Sequence, residues 1–319
     1  MKRIRFSGEY ALAVIRLLRL PNLLIILLTQ FFIRYCILGP LLYGGDRSLL
    51  LGIFGFVLMA GATVLIAAGG NIINDYHDVP ADQVNRPGKN PFEKTVGLKT
   101  GMILYAAVTG AGIFAGACLA FLLKSMLLGL VFPCIAILLW FYSTRYKQML
   151  LTGNLVVSFL SALVLLIVWY TEFLHLRLFP DRFADLLPQL KVINTYVAGY
   201  ALFAFLVTLI REIIKDLEDE EGDRHVGCRT LPILAGRKVT VWVVTGLAGL
   251  TALILAYAMV VLWIGGNALI FWYFAATVQA PLIYLAVKLF SAAHTAEYHF
   301  LSNLCKIIMV AGILSMQLI

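Results

Sequence analysis

The sequence predicts an all-α protein, a polytopic membrane bundle of nine transmembrane helices. Three observations predict it. Of 319 residues, 61% are apolar and only 13% charged, against about 25% charged in soluble domains. Mean hydropathy is +0.92. Apolar runs long enough to cross the hydrocarbon core recur nine times along the chain. A water-soluble globule would lack the charges to cover its surface, and a disordered chain would lack this apolar content.

The elements follow in order. The N-terminal stretch is basic, carries Arg16 and Arg19, and lacks the clean apolar core and cleavage site of a signal peptide. It reads as a cytoplasmic surface helix leading into the first span. Spans are expected at about 20–42, 49–72, 101–122, 126–143, 153–174, 192–213, 239–264, 267–289 and 301–318. Arg34 and Lys306 fall inside the first and last of these. Residues 175–191 mix Leu and Phe with charge and read as a short amphipathic segment on the outer interface. Glu172, at the end of the fifth span, reads as interfacial. The five cysteines show no C-x-x-C spacing, so neither a zinc site nor a disulfide framework is expected. The chain reads as one domain, 1–319, with two helical halves of roughly 1–143 and 144–319. In each half a span leads to a D-x-x-x-D loop and then to a Gly-Lys-Thr element, at Gly97-Leu98-Lys99-Thr100 and Gly236-Arg237-Lys238-Val239-Thr240.

The net charge of +8 takes its meaning from where the bases lie. With the N-terminus inside, 19 of the 25 Lys and Arg residues fall on the inner side. Outside lie Arg34, Arg47, Lys124, Arg177, Arg182 and Lys191. This is the basic bias of cytoplasmic loops. A nucleic-acid partner is therefore not expected despite a pI near 9.3. The same bias predicts that the loops after the second and sixth spans are cytoplasmic, and the membrane is expected to be the cell's inner membrane.

The acids are more telling. Eleven of the 17 lie in two short segments, 74–94 and 211–224, each following an apolar span on the inner side. In the first, Asn74 and Asp78 are four apart and share a helical face. Pro80 is expected to end or kink that helix, with Asp82 on the next turn pointing back. Arg86 and Lys89 follow. In the second, Asp216, Asp219 and Asp223 are spaced i, i+3 and i+7, one face of a helix, with Gly222 permitting a turn where it ends. Solvated loops would explain polarity; they would not explain acids interleaved with bases at helical spacing. Adjacent carboxylates repel unless a cation neutralises them. Mg²⁺ takes oxygen ligands and is commonly held by one or two carboxylates plus substrate phosphates, and Lys or Arg donors suit a diphosphate. A diphosphate with a hydrocarbon tail would fit a polar membrane edge above an apolar interior. A transporter would instead carry its charges near the midplane, where these spans carry few.

At these residues the sequence resembles the UbiA superfamily of intramembrane prenyltransferases. The resemblance rests on Asn74-Asp75-x-x-Asp78-x-x-x-Asp82 after the second span and Asp216-x-x-Asp219-x-x-x-Asp223 after the sixth. Tyr142-Ser143-x-x-Tyr146-Lys147 and Gly153-Asn154 agree with it. It covers nearly the whole chain and implies a helical bundle around a central cavity open to lipid. It implies Mg²⁺-dependent transfer of a prenyl group from a prenyl diphosphate to a lipophilic acceptor. By that resemblance Asn74, Asp78, Asp82, Asp219 and Asp223 are metal ligands, with Asp75 and Asp216 supporting them. Arg86, Lys147 and Lys215 contact the diphosphate, and Tyr142 lies near the reacting carbon. Asn154 joins the substrate-binding set, and Arg19 and Asn22 sit on the acceptor side. The context of both motifs is most similar to the digeranylgeranylglyceryl phosphate synthase branch, which implies a glycerol-phosphate ether lipid acceptor. That branch's Arg-Pro-x-Arg-Pro is replaced here by Arg86-Pro87-Gly88-Lys89-Asn90-Pro91, which leaves an aromatic acceptor of quinone biosynthesis, hydroxybenzoate or dihydroxynaphthoate, as the alternative.

Overall fold

The computed structural model describes residues 8–43 and 51–319. Lys2, Arg3, Arg5 and Arg47, counted in the charge asymmetry, lie outside the described residues. Every regular element among those described is helical. The chain runs α1 (Gly8–Leu18), α2 (Leu20–Phe32), α3 (Gly39–Tyr43), α4 (Ile53–Asn85), α5 (Leu98–Leu122), α6 (Met126–Thr144) and α7 (Thr152–Leu176). It continues through α8 (Pro180–Asp185), α9 (Leu187–Glu218), α10 (Glu220–His225) and α11 (Leu231–Ile264). It ends with α12 (Ala268–Phe274), α13 (Ala280–Ser291) and α14 (Thr295–Leu314). A π-helical stretch, Ile33–Leu38, joins α2 to α3, and another, Ala275–Gln279, joins α12 to α13.

Among the described residues nine helical stretches are long and apolar enough to cross a membrane, matching the nine expected spans in order. The protein is an integral membrane protein. Large apolar side chains such as Phe121, Leu253 and Ile264 face outward, as a lipid-facing surface requires. The second and sixth spans overrun their expected ends, to Asn85 and Glu218. The overruns carry Asp75, Asp78 and Asp82 on α4 and Asp216 and Glu218 on α9, so these acids sit on helical extensions of membrane spans. The expected amphipathic stretch at 175–191 is realised as the short helix α8 and the first turn of α9.

Two compact units make up the chain, and neither is a continuous stretch. The first comprises residues 1–27, 52–147 and 221–228. In it α4 packs along α5 and α6, and α1 lies against α4. Leu17, Ile72, Phe92 and Val96 form a small core under α1. The second comprises 28–51, 148–220 and 229–319. In it α9 is the central helix, packed by α7, α11 and α14. Ile210, Ile213 and Ile214 of α9 meet Val244 of α11, Leu282 and Leu285 of α13, and Leu301 and Ile308 of α14.

Three local expectations are corrected. Pro80 does not end its helix: α4 runs on to Asn85. The proline removes a single donor from a 33-residue helix held by its neighbours, so packing overrides the local penalty. Asp216, Asp219 and Asp223 do not share one helix either. α9 stops at Glu218, Asp219 caps it, and Asp223 belongs to the separate helix α10. Acids are unfavourable at a helix C-terminus and favourable at an N-terminus, and Glu220 and Glu221 open α10. Glu172 is enclosed by the protein: it is 1% exposed and paired with Arg34, itself 2% exposed. Arg34 Nε donates to Glu172 Oε1 at 2.7 Å, and Leu51 N donates to Glu172 Oε2 at 2.9 Å. A lone charge there would be costly, and pairing is what allows both to be buried.

Candidate active site

The first acidic segment is built on one helix. With α4 unbroken, Asn74, Asp78 and Asp82 are spaced i, i+4 and i+8 and stack on one face, about 6 Å apart along the axis. Each acid in this segment is held by a named partner. Asp75 is buried and paired with Arg19. Arg19 lies at the break between α1 and α2 in a left-handed conformation, φ 54°, strain of a kind that functional positions retain. Asn71 Nδ2 fastens the same break by donating to Leu18 O at 2.9 Å. Burial works against the charge on Arg19, but Asp75, helped by Tyr142 and Asp82, outweighs it and holds the guanidinium above its ordinary value. Tyr142, one turn from the end of α6, and Asp82 both lie within Arg19's field.

Asp78 takes a hydrogen bond from Asn74 Nδ2 on Oδ2, at 2.7 Å, and an ion pair from Lys147 on Oδ1. Lys147 follows α6 in a short 3₁₀ turn, Tyr146–Gln148. Asp82 Oδ2 takes a hydrogen bond from Asn90 Nδ2 at 2.9 Å. α4 ends where Arg86 N bonds Asp82 O at 2.7 Å, so Arg86 stands at the mouth of the segment.

The second segment is divided between the units. Asp216 and Asp219 belong to the second. There Asn154 Nδ2, in the first turn of α7, donates to Asp216 Oδ2 at 2.9 Å. Asp219 N bonds Lys215 O at 2.8 Å and closes the end of α9. Asp223 belongs to the first unit with residues 221–228. Gly222 N donates to Asn85 Oδ1 at 2.8 Å. A Cβ at 222 would fall 2.4 Å from Asn85 Nδ2 and 2.7 Å from Ala81 O, so the glycine serves close approach to α4. Its expected role as a helix-ending turn is replaced by this one.

The structure thus gathers Arg19, Asn74, Asp75, Asp78, Asp82 and Lys147 in the first unit, with Tyr142 in the field of Arg19. It joins Asn154 to Asp216 in the second. Asn22 follows Arg19 on the first turn of α2, its N bonded to Arg19 O at 2.9 Å. Sequence reasoning missed Asn90 and the Asn85–Gly222 contact. An Asn before a proline signals a turn, but which carboxylate that turn reaches depends on its direction.

The donor set suits Mg²⁺. Asn74 Oδ1 is buried beside Asp78 without a hydrogen-bond partner, a situation that costs about 1–3 kcal/mol unless something claims the oxygen. All three side chains on the α4 face offer oxygen, the ligand Mg²⁺ prefers. Among the described residues no three His, Cys, Asp or Glu side chains close into a ready-made cage. An ion held by one or two carboxylates together with phosphate oxygens and water needs none.

Residues 16–304 match the model of the UbiA prenyltransferase family. The chain belongs to the UbiA prenyltransferase family. Among curated UbiA relatives, the digeranylgeranylglyceryl phosphate synthase of Methanothermobacter thermautotrophicus is 33% identical over 199 residues, 60% of this chain and 61% of that protein. The match thus spans less than two thirds of that relative's length. The protein of the same name from Methanoregula boonei is 31% identical over 245 residues, 73% of each chain. A solved UbiA homolog from Archaeoglobus fulgidus, bound to GPP and Mg²⁺, superposes with a TM-score of 0.55 at 13% identity. That superposition covers 95% of this chain and 99% of the homolog and supports the UbiA fold.

Proposed function

We propose that the chain transfers a prenyl group from a prenyl diphosphate to the hydroxyl of a glycerol-phosphate ether lipid precursor, with Mg²⁺. The observation that carries this reading is the α4 face: Asn74, Asp78 and Asp82 in register, with Lys147 on Asp78. The curated relatives named as digeranylgeranylglyceryl phosphate synthases support the choice of acceptor.

In this reading Asn74, Asp78, Asp82, Asp219 and Asp223 would be the metal ligands. When bound, Mg²⁺ neutralises charge on the departing diphosphate. Arg86, Lys147 and Lys215 donate to its oxygens. Asp75, with its carboxylate occupied by Arg19, orients the helix and Arg19, and Asn154 does the same for Asp216. The bond from the allylic carbon to the diphosphate oxygen breaks, the acceptor hydroxyl oxygen bonds that carbon, and its proton passes to the released diphosphate. The Tyr142 ring stabilises positive charge at the carbon. Arg19 and Asn22 receive the acceptor. The basic asymmetry of the loops supports a site on the cytoplasmic face of the inner membrane, where both substrates are drawn from lipid.

The test is a panel with purified protein and radiolabelled geranylgeranyl diphosphate. Acceptors are geranylgeranylglyceryl phosphate, hydroxybenzoate and dihydroxynaphthoate, each with and without Mg²⁺. Product with the glyceryl phosphate alone, and only with Mg²⁺, is expected. Product with an aromatic acid overturns the acceptor; no product with any of them overturns the transfer.

A further inference from the structure

Asn90 lies in the turn that follows α4, eight residues beyond Asp82, and caps the 3₁₀ turn Pro91–Glu93. It is 5% exposed. Its carboxamide is fully used. Oδ1 accepts from Phe92 N at 3.0 Å, and Nδ2 donates to Asp75 O at 2.8 Å and to Asp82 Oδ2 at 2.9 Å. An amide offers two N–H donors and one oxygen, and here the donors meet two acceptors while the oxygen meets a donor. Turned over, the group would lose all three contacts, so its orientation is fixed.

Asp82 sits on the last turn of α4, where a carboxylate on an ordinary helix end could swing among rotamers. Asn90 removes that freedom. It is itself held from the Asp75 carbonyl on the same helix and from the turn it caps. Gly88 N, bonded to Glu93 Oε2 at 2.8 Å, fastens that turn across its base. Mg²⁺ demands near-octahedral geometry with ligand oxygens about 2.0–2.1 Å away, so a preset carboxylate direction matters more to it than to a looser cation.

We infer that Asn90 is a positioning residue, which sets the direction of the Asp82 carboxylate for a Mg²⁺–diphosphate. The inference rests on the functional reading above and adds a residue that the aspartate motifs do not include. Groups of this kind typically change metal affinity about 10- to 100-fold when removed.

Two substitutions separate positioning from turn capping. Asn90→Asp keeps an oxygen for Phe92 N, since Asp and Asn cap equally well, but it loses both donors and faces Asp82 with a like charge. Asn90→Ala loses everything. The full-length protein in detergent is titrated with Mn²⁺ in the presence of inorganic pyrophosphate, and bound Mn²⁺ is read by electron paramagnetic resonance. Thermal unfolding of each metal-free variant is recorded alongside. Expected is Mn²⁺ binding weakened about 10-fold or more in both variants, with Asn90→Asp unfolding close to the parent. If Asn90 only caps the turn, Asn90→Asp binds Mn²⁺ like the parent, and that result overturns the inference while leaving the functional reading intact. If the parent itself binds no Mn²⁺ with pyrophosphate, the functional reading falls and the inference with it.

Discussion

The two acidic segments look alike in sequence and are built differently. The first stands on a single helix whose side chains are tied one by one: Asp75 to Arg19, Asp78 to Asn74 and Lys147, Asp82 to Asn90. The second is broken at Asp219, with one part closing α9 and the other carried on α10. The first is a comb on one helix; the second is split between the end of α9 and the short helix α10. Spacing alone does not make a face. A D-x-x-x-D pattern becomes one where packing carries the helix through, and it does not where one helix ends and another begins within it.

The contrast can be broken most sharply at the proposed metal ligands. Asp78→Ala and Asp219→Ala should each lower kcat by about 100- to 1,000-fold, the cost of losing one stabiliser of developing charge. Steady-state kinetics with saturating Mg²⁺ checks it, with circular dichroism as the fold control. Full turnover by Asp219→Ala would leave the comb as the sole metal holder. Next in size is the tie that orients the second segment. Asn154→Ala should raise the Mg²⁺ concentration needed for half-maximal rate about 10-fold, and a Mg²⁺ titration of rate would show it; an unchanged midpoint would make that tie irrelevant to the metal. Gly222→Ala should destabilise by about 1–3 kcal/mol, because the new methyl has no room against Asn85 and Ala81. Thermal unfolding in detergent measures this, and an unshifted midpoint would mean that α10 does not need its seat on α4. Smallest is Pro80→Ala. It should change stability by no more than about 1 kcal/mol and leave the Mg²⁺ requirement alone; a shifted requirement would mean that the proline itself shapes the comb.

Much of this was legible in the chain. Nine spans, their order and the two acidic segments follow from apolar runs and charge placement, which act locally. The pairing of Asp75 with Arg19 and of Asp78 with Lys147 was not, because the partners lie 56 and 69 positions apart and meet only after packing. Glu172 shows the same limit. Its position at the end of a span suggested the interface, and only the arrival of Arg34 from the first span explains its burial. Pro80 misled in the other direction, since a local rule lost to tertiary contacts along α4. The glycine at 222 was read as conformational freedom and turned out to be absence of bulk.

The seat of Gly222 on Asn85 has a consequence for biosynthesis. The two residues are 137 positions apart. Ribosomes add about 5–20 residues per second, so the end of α4 emerges roughly 7–27 seconds before its cover. During that interval the aspartate comb exists without α10, and residues 221–228, which complete the first unit, are still to be made. Maturation of the first unit is therefore timed by the sixth span, and a nascent chain stalled before it would carry the carboxylates without their closing piece.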